Sequence, residues 1–161
     1  MPKLHFVKCL FISICLYSCG FTYERITVSL SKIIDGDTIE VLRDSEKIKI
    51  RLYGIDAPER AQDYGRNATR ALESALEPYN EIDIVIRDKD RYGRIVGEIF
   101  AGGSNINLIM LLEGHCWHYK KYSKEASYSE AEVKAKGNNL GLWANSLSIP
   151  PWEFRRAVKS Y

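Results

Sequence analysis

Apolar and polar positions alternate with a period of two over residues 26–53: Ile26, Val28 and Leu30, then Ile39 and Val41, then Ile48, Ile50 and Leu52. Alternation of this kind lines one face of a pleated strand, so three half-buried antiparallel strands are predicted. Asp35-Gly36-Asp37 and Arg43-Asp44-Ser45-Glu46 supply the turns between them, because glycine tolerates positive φ and aspartate bonds its own backbone. The period then changes. From Gly65 to Glu77, Ala68, Ala71, Leu72, Ala75 and Leu76 recur at helical spacing and Pro78 ends the run, which predicts an amphipathic helix. Ile82, Ile84 and Ile86 restore the alternation, Asp90-Arg91-Tyr92-Gly93 turns the chain, and residues 95–100 return as a fifth strand. Asn105 stands at an N-cap before a short apolar helix (Ile106, Leu108, Ile109, Leu111, Leu112), and Gly114 stands just past its end. A last amphipathic helix is predicted from about Lys124 to Lys136, stopped by Gly137-Asn138-Asn139, with Trp143 beyond it as a plug for the core. Residues 147–161, with Pro150-Pro151, are expected as an extended strap.

Five strands, one helix after the third and two near the end predict an α+β fold, a five-stranded oligonucleotide-binding (OB) β-barrel with about three helices, over residues 26–146. A length of 161 residues with 45% apolar and 27% charged residues suits one domain and argues against wholesale disorder. No apolar run reaches the roughly 18 to 20 residues of a membrane-crossing helix, so a polytopic membrane protein is excluded. Lys3 and Lys8 precede the apolar run Cys9 to Tyr17, in which only Ser13 is polar, and the small residues Ser18, Cys19 and Gly20 follow. Residues 1–18 therefore read as an export signal. Leu16-Tyr17-Ser18-Cys19 also matches a bacterial lipobox, although Tyr17 is bulky for that slot; Cys19 would then be lipidated and become the first mature residue. The expected location is outside the cytoplasm: secreted, periplasmic or anchored to the envelope through Cys19 alone. Only Cys116 of the four cysteines lies in the body, which rules out a disulfide framework. The net charge of +2 comes from Lys3 and Lys8, and the rest of the chain is neutral, so nucleic acid would be met by local patches and metal, without a global positive field.

Asp35, Asp37, Asp56 and Glu59 form two tight acidic groups at predicted turns. Asp35-Gly36-Asp37-Thr38 by itself has the composition of a plain hairpin turn. Ile55-Asp56-Ala57-Pro58-Glu59 changes the reading, since Pro58 stiffens a bend that would hold Asp56 and Glu59 on one side. Hard cations such as Ca²⁺ take oxygens from carboxylates, carbonyls and water, and two such loops together suggest a metal pocket. Arg51 lies on the strand face opposite Ile48, Ile50 and Leu52, towards the emergence of Asp56, and Arg94 follows the Tyr92-Gly93 turn. Each is either a surface arginine or a ligand for an anion, to which a permanently charged, forked guanidinium is suited. His115-Cys116-Trp117-His118 contains zinc-ligand types, but adjacent residues in an extended stretch point to alternating faces and no second Cys/His group closes a tetrahedral site. Trp117, Tyr119 and Tyr122, interleaved with Lys120 and Lys121, read instead as a surface where bases stack and lysines meet phosphates.

Ile34-Asp35-Gly36-Asp37-Thr38, Arg51-Leu52-Tyr53-Gly54-Ile55-Asp56-Ala57-Pro58-Glu59 and Asp90-Arg91-Tyr92-Gly93-Arg94, in this order and with Gly141-Leu142-Trp143 near the end, resemble the staphylococcal nuclease (micrococcal nuclease, thermonuclease) family over about residues 27–145. The resemblance implies a Ca²⁺-dependent phosphodiesterase on an OB-fold that cuts DNA and RNA to 3′-phosphate products. It implies Asp37, Asp56 and the backbone carbonyl of Ala57 as calcium ligands, with Asp35 acting through water. Glu59 would orient or deprotonate the attacking water, and Arg51 and Arg94 would clamp the phosphate. Tyr92, Tyr119, Tyr122 and Lys120 would contact substrate. The best-known member has Thr in place of Ala57, which a backbone-carbonyl ligand tolerates. A monomer is expected. The competing readings are a nucleic-acid-binding OB-fold lipoprotein without turnover and a calcium-stabilised structural lipoprotein.

Overall fold

The computed structural model describes residues 23–159; the expected export signal and Cys19 lie outside the described residues. Eight strands and four α-helices follow in order: β1 (Arg25–Asp35), β2 (Thr38–Arg43), β3 (Glu46–Leu52), β4 (Ile55–Asp56), α1 (Gly65–Leu76), β5 (Glu81–Lys89), β6 (Ile95–Ala101), β7 (Ser104–Asn105), α2 (Ile106–Leu112), β8 (Trp117–His118), α3 (Ala126–Gly137) and α4 (Pro151–Val158). The antiparallel neighbours run β3-β2-β1-β5-β6, and a parallel pairing of β3 with β6, Ile50 opposite Ile95 and Arg51 opposite Val96, closes them into a five-stranded barrel. Register irregularities in β1, between Leu30 and Lys32 and between Ile33 and Asp35, and in β5, between Ile86 and Asp88, bend strands that a flat ladder would leave open. This is the α+β barrel expected from the alternation, with β4 and β8 added as a short separate ladder.

The alternating residues fill the barrel: Val28, Ile39, Val41, Ile50, Leu52, Ile82, Ile84 and Ile99 are all at most 3% exposed. Each large aliphatic among them contributes roughly 1.5 to 3 kcal/mol through burial. Ala68, Leu72 and Leu76 of α1 and Met110 and Leu111 of α2 cover the same core. Asn105 caps α2 by accepting the N–H of Leu108 at 3.0 Å. Gly114, at φ +74°, ends it in a left-handed turn in which the N–H of His115 reaches the carbonyl of Met110 and that of Gly114 the carbonyl of Leu111.

Two expectations fail at the C-terminal end. Residues 151–158 form the helix α4 in place of an extended strap. Pro151 takes the first helical position, where its missing N–H costs nothing, Glu153 sits in the first turn, and Arg155 and Arg156 sit in the last, an order that suits the helix dipole. Leu142, within a 3-10 turn at Gly141–Ala144, is the buried plug, while Trp143 stays half-buried with its ring edge-on to Trp117 at 4.2 Å.

Candidate functional site

The turn from β1 into β2 is held by its own aspartate, as Asp35 Oδ1 accepts the N–H of Asp37 at 3.1 Å. That bond turns the Asp37 carboxylate inward, where Oδ2 accepts the N–H of Ala57 at 2.6 Å and Oδ1 lies 3.2 Å from the Thr38 hydroxyl. Gly36 permits the approach: a Cβ there would lie 2.7 Å from the Cβ of Ala57 and 2.8 Å from that of Ala68. Any side chain at position 36 would push the turn away from both the β4 bend and α1.

Arg51 projects from β3 towards the same point. Its Nη2 lies 3.0 Å from Asp37 Oδ2 and 2.8 Å from Asp56 Oδ1, while Nη1 donates to the carbonyl of Leu52 at 2.9 Å. Asp56 is placed by β4, whose ladder sets it opposite Trp117 of β8. The two turns therefore converge, and a single guanidinium nitrogen touches both aspartates. Glu59 follows on the bend beyond Pro58, its N–H accepted by Gln62 Oε1 at 3.2 Å and its carboxylate half exposed.

A residue that the sequence did not single out completes the cluster. Arg155 of α4 donates to Asp56 Oδ2 at 2.7 Å from Nη2, and from Nη1 to Asp56 Oδ1 at 3.2 Å and Glu59 Oε1 at 2.7 Å. Burial works against its charged form, but the hydrogen bonds and charges of Asp56 and Glu59 outweigh that and hold the guanidinium above its ordinary pKa. The available signal was Trp152-Glu153-Phe154-Arg155 after Pro150-Pro151, which sets Trp152 and Arg155 on one helical face three residues apart.

Three carboxylates, those of Asp37, Asp56 and Glu59, thus meet two guanidiniums, with that of Asp35 beside them in the turn. Burial pushes the Asp37 carboxyl up to about 7; Arg51 opposes the rise, and Asp35 and Asp56 add to it. The thiol of Cys116, also buried, is pushed up by desolvation and then by the charge of Asp37. An excess of buried negative charge is what a hard divalent cation relieves, and carboxylate oxygens are its preferred donors. Asp37 and Asp56 supply such oxygens side by side; among the described residues no group of three or more acids, histidines or cysteines converges on one point. The donor chemistry fits a cation held by two carboxylates and completed by a carbonyl, water and phosphate oxygens.

Other expected site residues lie around this cluster. Arg94 stands two positions before Val96, the partner of Arg51, but its side chain is engaged with Asp90 at 2.7 Å and lies beside the Tyr92 ring. Tyr92 and Tyr122 are well exposed, at 70% and 61%. Tyr119 packs parallel to Trp152 of α4 at 5.3 Å and edge-on to Tyr122 at 4.8 Å, so one of its faces is already covered. Lys120 pairs with the buried Glu132 at 3.3 Å. His115 meets the Tyr64 hydroxyl and Glu113, whereas His118 lies against Ser129, so the two histidines serve different surroundings.

Residues 49–145 match the family model described as Staphylococcal nuclease homologue, a span that includes Arg51, Asp56, Glu59 and Arg94. The chain is 40% identical over 140 residues to a micrococcal nuclease of Shigella flexneri, covering 80% of each chain. It is 38% identical over 125 residues to an uncharacterized endonuclease of Escherichia coli, covering 77% of this chain and 81% of the relative. A further uncharacterized endonuclease, from Haemophilus influenzae, is 35% identical over 158 residues, or 98% of this chain and 87% of that one. With the barrel, the converging aspartates and Arg51 in place, these similarities identify the chain as a member of the staphylococcal nuclease homologue family.

Proposed function

We propose that this staphylococcal-type nuclease is a calcium-dependent phosphodiesterase that hydrolyses DNA and RNA, leaving 3′-phosphate ends. The observation that carries the reading is the meeting of Asp37 and Asp56 on one nitrogen of Arg51, next to Glu59. Asp37, Asp56 and the carbonyl of Ala57 would hold the ion, with Asp35 acting through water. Bound there, Ca²⁺ would neutralise the phosphate and lower the barrier to attack by water. Glu59 takes the proton of the attacking water as its oxygen bonds to phosphorus and the bond to the 5′ oxygen breaks. Arg51 and Arg94 balance the charge that accumulates on the phosphate oxygens, and Arg94 donates a hydrogen bond to the departing oxygen, which takes its proton from solvent water. Arg94 exchanges Asp90 for phosphate in doing so. Tyr92, Tyr119, Tyr122 and Lys120 carry the flanking nucleotides, with Tyr119 limited to the face that Trp152 leaves free.

The enzyme works as a monomer outside the cytoplasm, either free or fixed by lipid at Cys19. Metabolic labelling with palmitate separates these two states, and absence of label points to free secretion. The enzymatic test is digestion of plasmid and of RNA by the pure protein, with Ca²⁺ and with EDTA, followed by phosphatase treatment of the product ends. The reading does not survive a pure protein that shows no calcium-dependent cutting, or products that carry the phosphate on the 5′ side.

A further inference from the structure

Asp56 is 1% exposed at its side chain, and both of its oxygens are engaged by guanidiniums, Oδ1 by Arg51 and Arg155 and Oδ2 by Arg155. A carboxylate offers about four lone-pair positions, so little of Asp56 remains for an incoming ion. The same Arg155 holds Glu59. A cation that binds Asp56 directly would therefore share its oxygens with a positive group in contact with them, and like charges on shared oxygens exclude one another. Arg155 can withdraw, because its side chain is 37% exposed whereas that of Asp56 is shut in. Its helix is well anchored. Pro151 is buried, Trp152 stacks on Tyr119 and lies edge-on to Trp117 at 5.7 Å, and Gln62 donates to the carbonyl of Ile149 just before the helix. Trp117 in turn pairs by its backbone with Asp56, so the anchor and the carboxylate form one unit.

We propose that Arg155 is a resident counter-ion of the Asp56–Glu59 pair, and that a divalent cation binds Asp56 in competition with it, so that α4 sets the metal concentration at which the enzyme works. The inference rests on the metal-dependent reading of the site, but it concerns binding and is measured without turnover. In the metal-free protein Arg155 keeps the two acids paired. When the cation arrives, the guanidinium turns outward to solvent while Trp152 keeps the helix in place.

The test is calorimetric titration of the full chain with Ca²⁺ for wild type, Arg155→Ala, Arg155→Lys and Lys159→Ala. Arg155→Ala should bind Ca²⁺ at least tenfold more tightly than wild type. Arg155→Lys keeps the charge, loses the fork, and should gain about threefold. Lys159→Ala removes an exposed charge near the same helix end and should stay within about twofold. The rise in melting temperature on adding Ca²⁺ should likewise be larger in Arg155→Ala than in wild type. Competition is refuted if Arg155→Ala binds no more tightly than wild type, the outcome expected of a residue that merely holds the acids in position. It is equally refuted if Lys159→Ala gains as much as Arg155→Ala. Cutting that requires Mn²⁺ and ignores Ca²⁺ sinks the calcium assignment alone, and the same comparison is then made with Mn²⁺.

Discussion

Two acid–arginine clusters, each centred on a buried acid, lie in this barrel, and they differ in how far that acid's charge is offset. In the first, Glu98 on β6 is fully answered: Arg87 reaches Oε2 from Nε at 3.0 Å and from Nη2 at 2.8 Å, and the Tyr128 hydroxyl reaches Oε1 at 2.8 Å. Glu98 meets Arg87 and neutral donors, while the more exposed Glu125 lies 3.6 Å from the same guanidinium, and burial with the charge of Glu98 holds the Tyr128 proton well above its usual range. In the second, Asp37, Asp56 and Glu59 share Arg51 and Arg155, Asp35 accepts the N–H of Asp37 beside them, and Asp37 is left with a raised pKa. A buried acid is common to both clusters. The difference lies in Asp37, whose buried charge its partners do not fully offset, and a strongly shifted acid of this kind marks a candidate functional cluster.

The comparison breaks most directly through Glu98→Ala, which leaves Arg87 buried without its main partner. Loss of one member of such a pair costs about 3 to 5 kcal/mol, so urea unfolding should show a large drop in stability while the folded fraction keeps its turnover. Glu59→Gln should do the reverse. Turnover should fall by about 10² to 10³, or roughly 2.7 to 4 kcal/mol, with calcium affinity kept; unchanged turnover would remove Glu59 from the mechanism. Asp37→Asn sharpens the contrast further, because it should weaken calcium binding at least tenfold, about 1.4 kcal/mol, without destabilising the metal-free protein. Calorimetry that finds unaltered affinity would disqualify Asp37 as a ligand.

The smallest effect concerns pH. The folded-state pKa of Asp37 lies at about 7, above its ordinary 3.8, so its contribution to metal-free stability is present at low pH and is lost as pH rises through about 7. Calcium requires the ionised form, so affinity should gain severalfold between pH 6 and pH 8 in wild type and stay flat in Asp37→Asn. Isotherms at the two pH values decide this.

Much of the barrel was legible because its signals are local. Ile82, Ile84 and Ile86 alternate whatever the rest of the chain does, and Asn105 caps α2 with a partner three residues away. The acids of the site were legible for the same reason, since each group sits within one turn. What escaped depends on distant partners. Arg155 finds Asp56 across 99 residues, and a Pro-Pro pair reads as extended until Trp152 has Tyr119 to stack on. Tyr119 was legible as an aromatic residue but not as one with a covered face. Arg94 was legible as a cation, while its bond to Asp90 four residues back is a matter of side-chain geometry that spacing alone does not settle.

The turn at Gly36 has no room for a Cβ, which would lie 2.7 Å from that of Ala57 and 2.8 Å from that of Ala68. Position 36 is consequently tied in descent to the other two: bulk gained there must be offset at 57 or 68, or the turn that carries Asp35 and Asp37 is displaced. Change at these positions should therefore be inherited in concert, although none of the three side chains takes part in the chemistry.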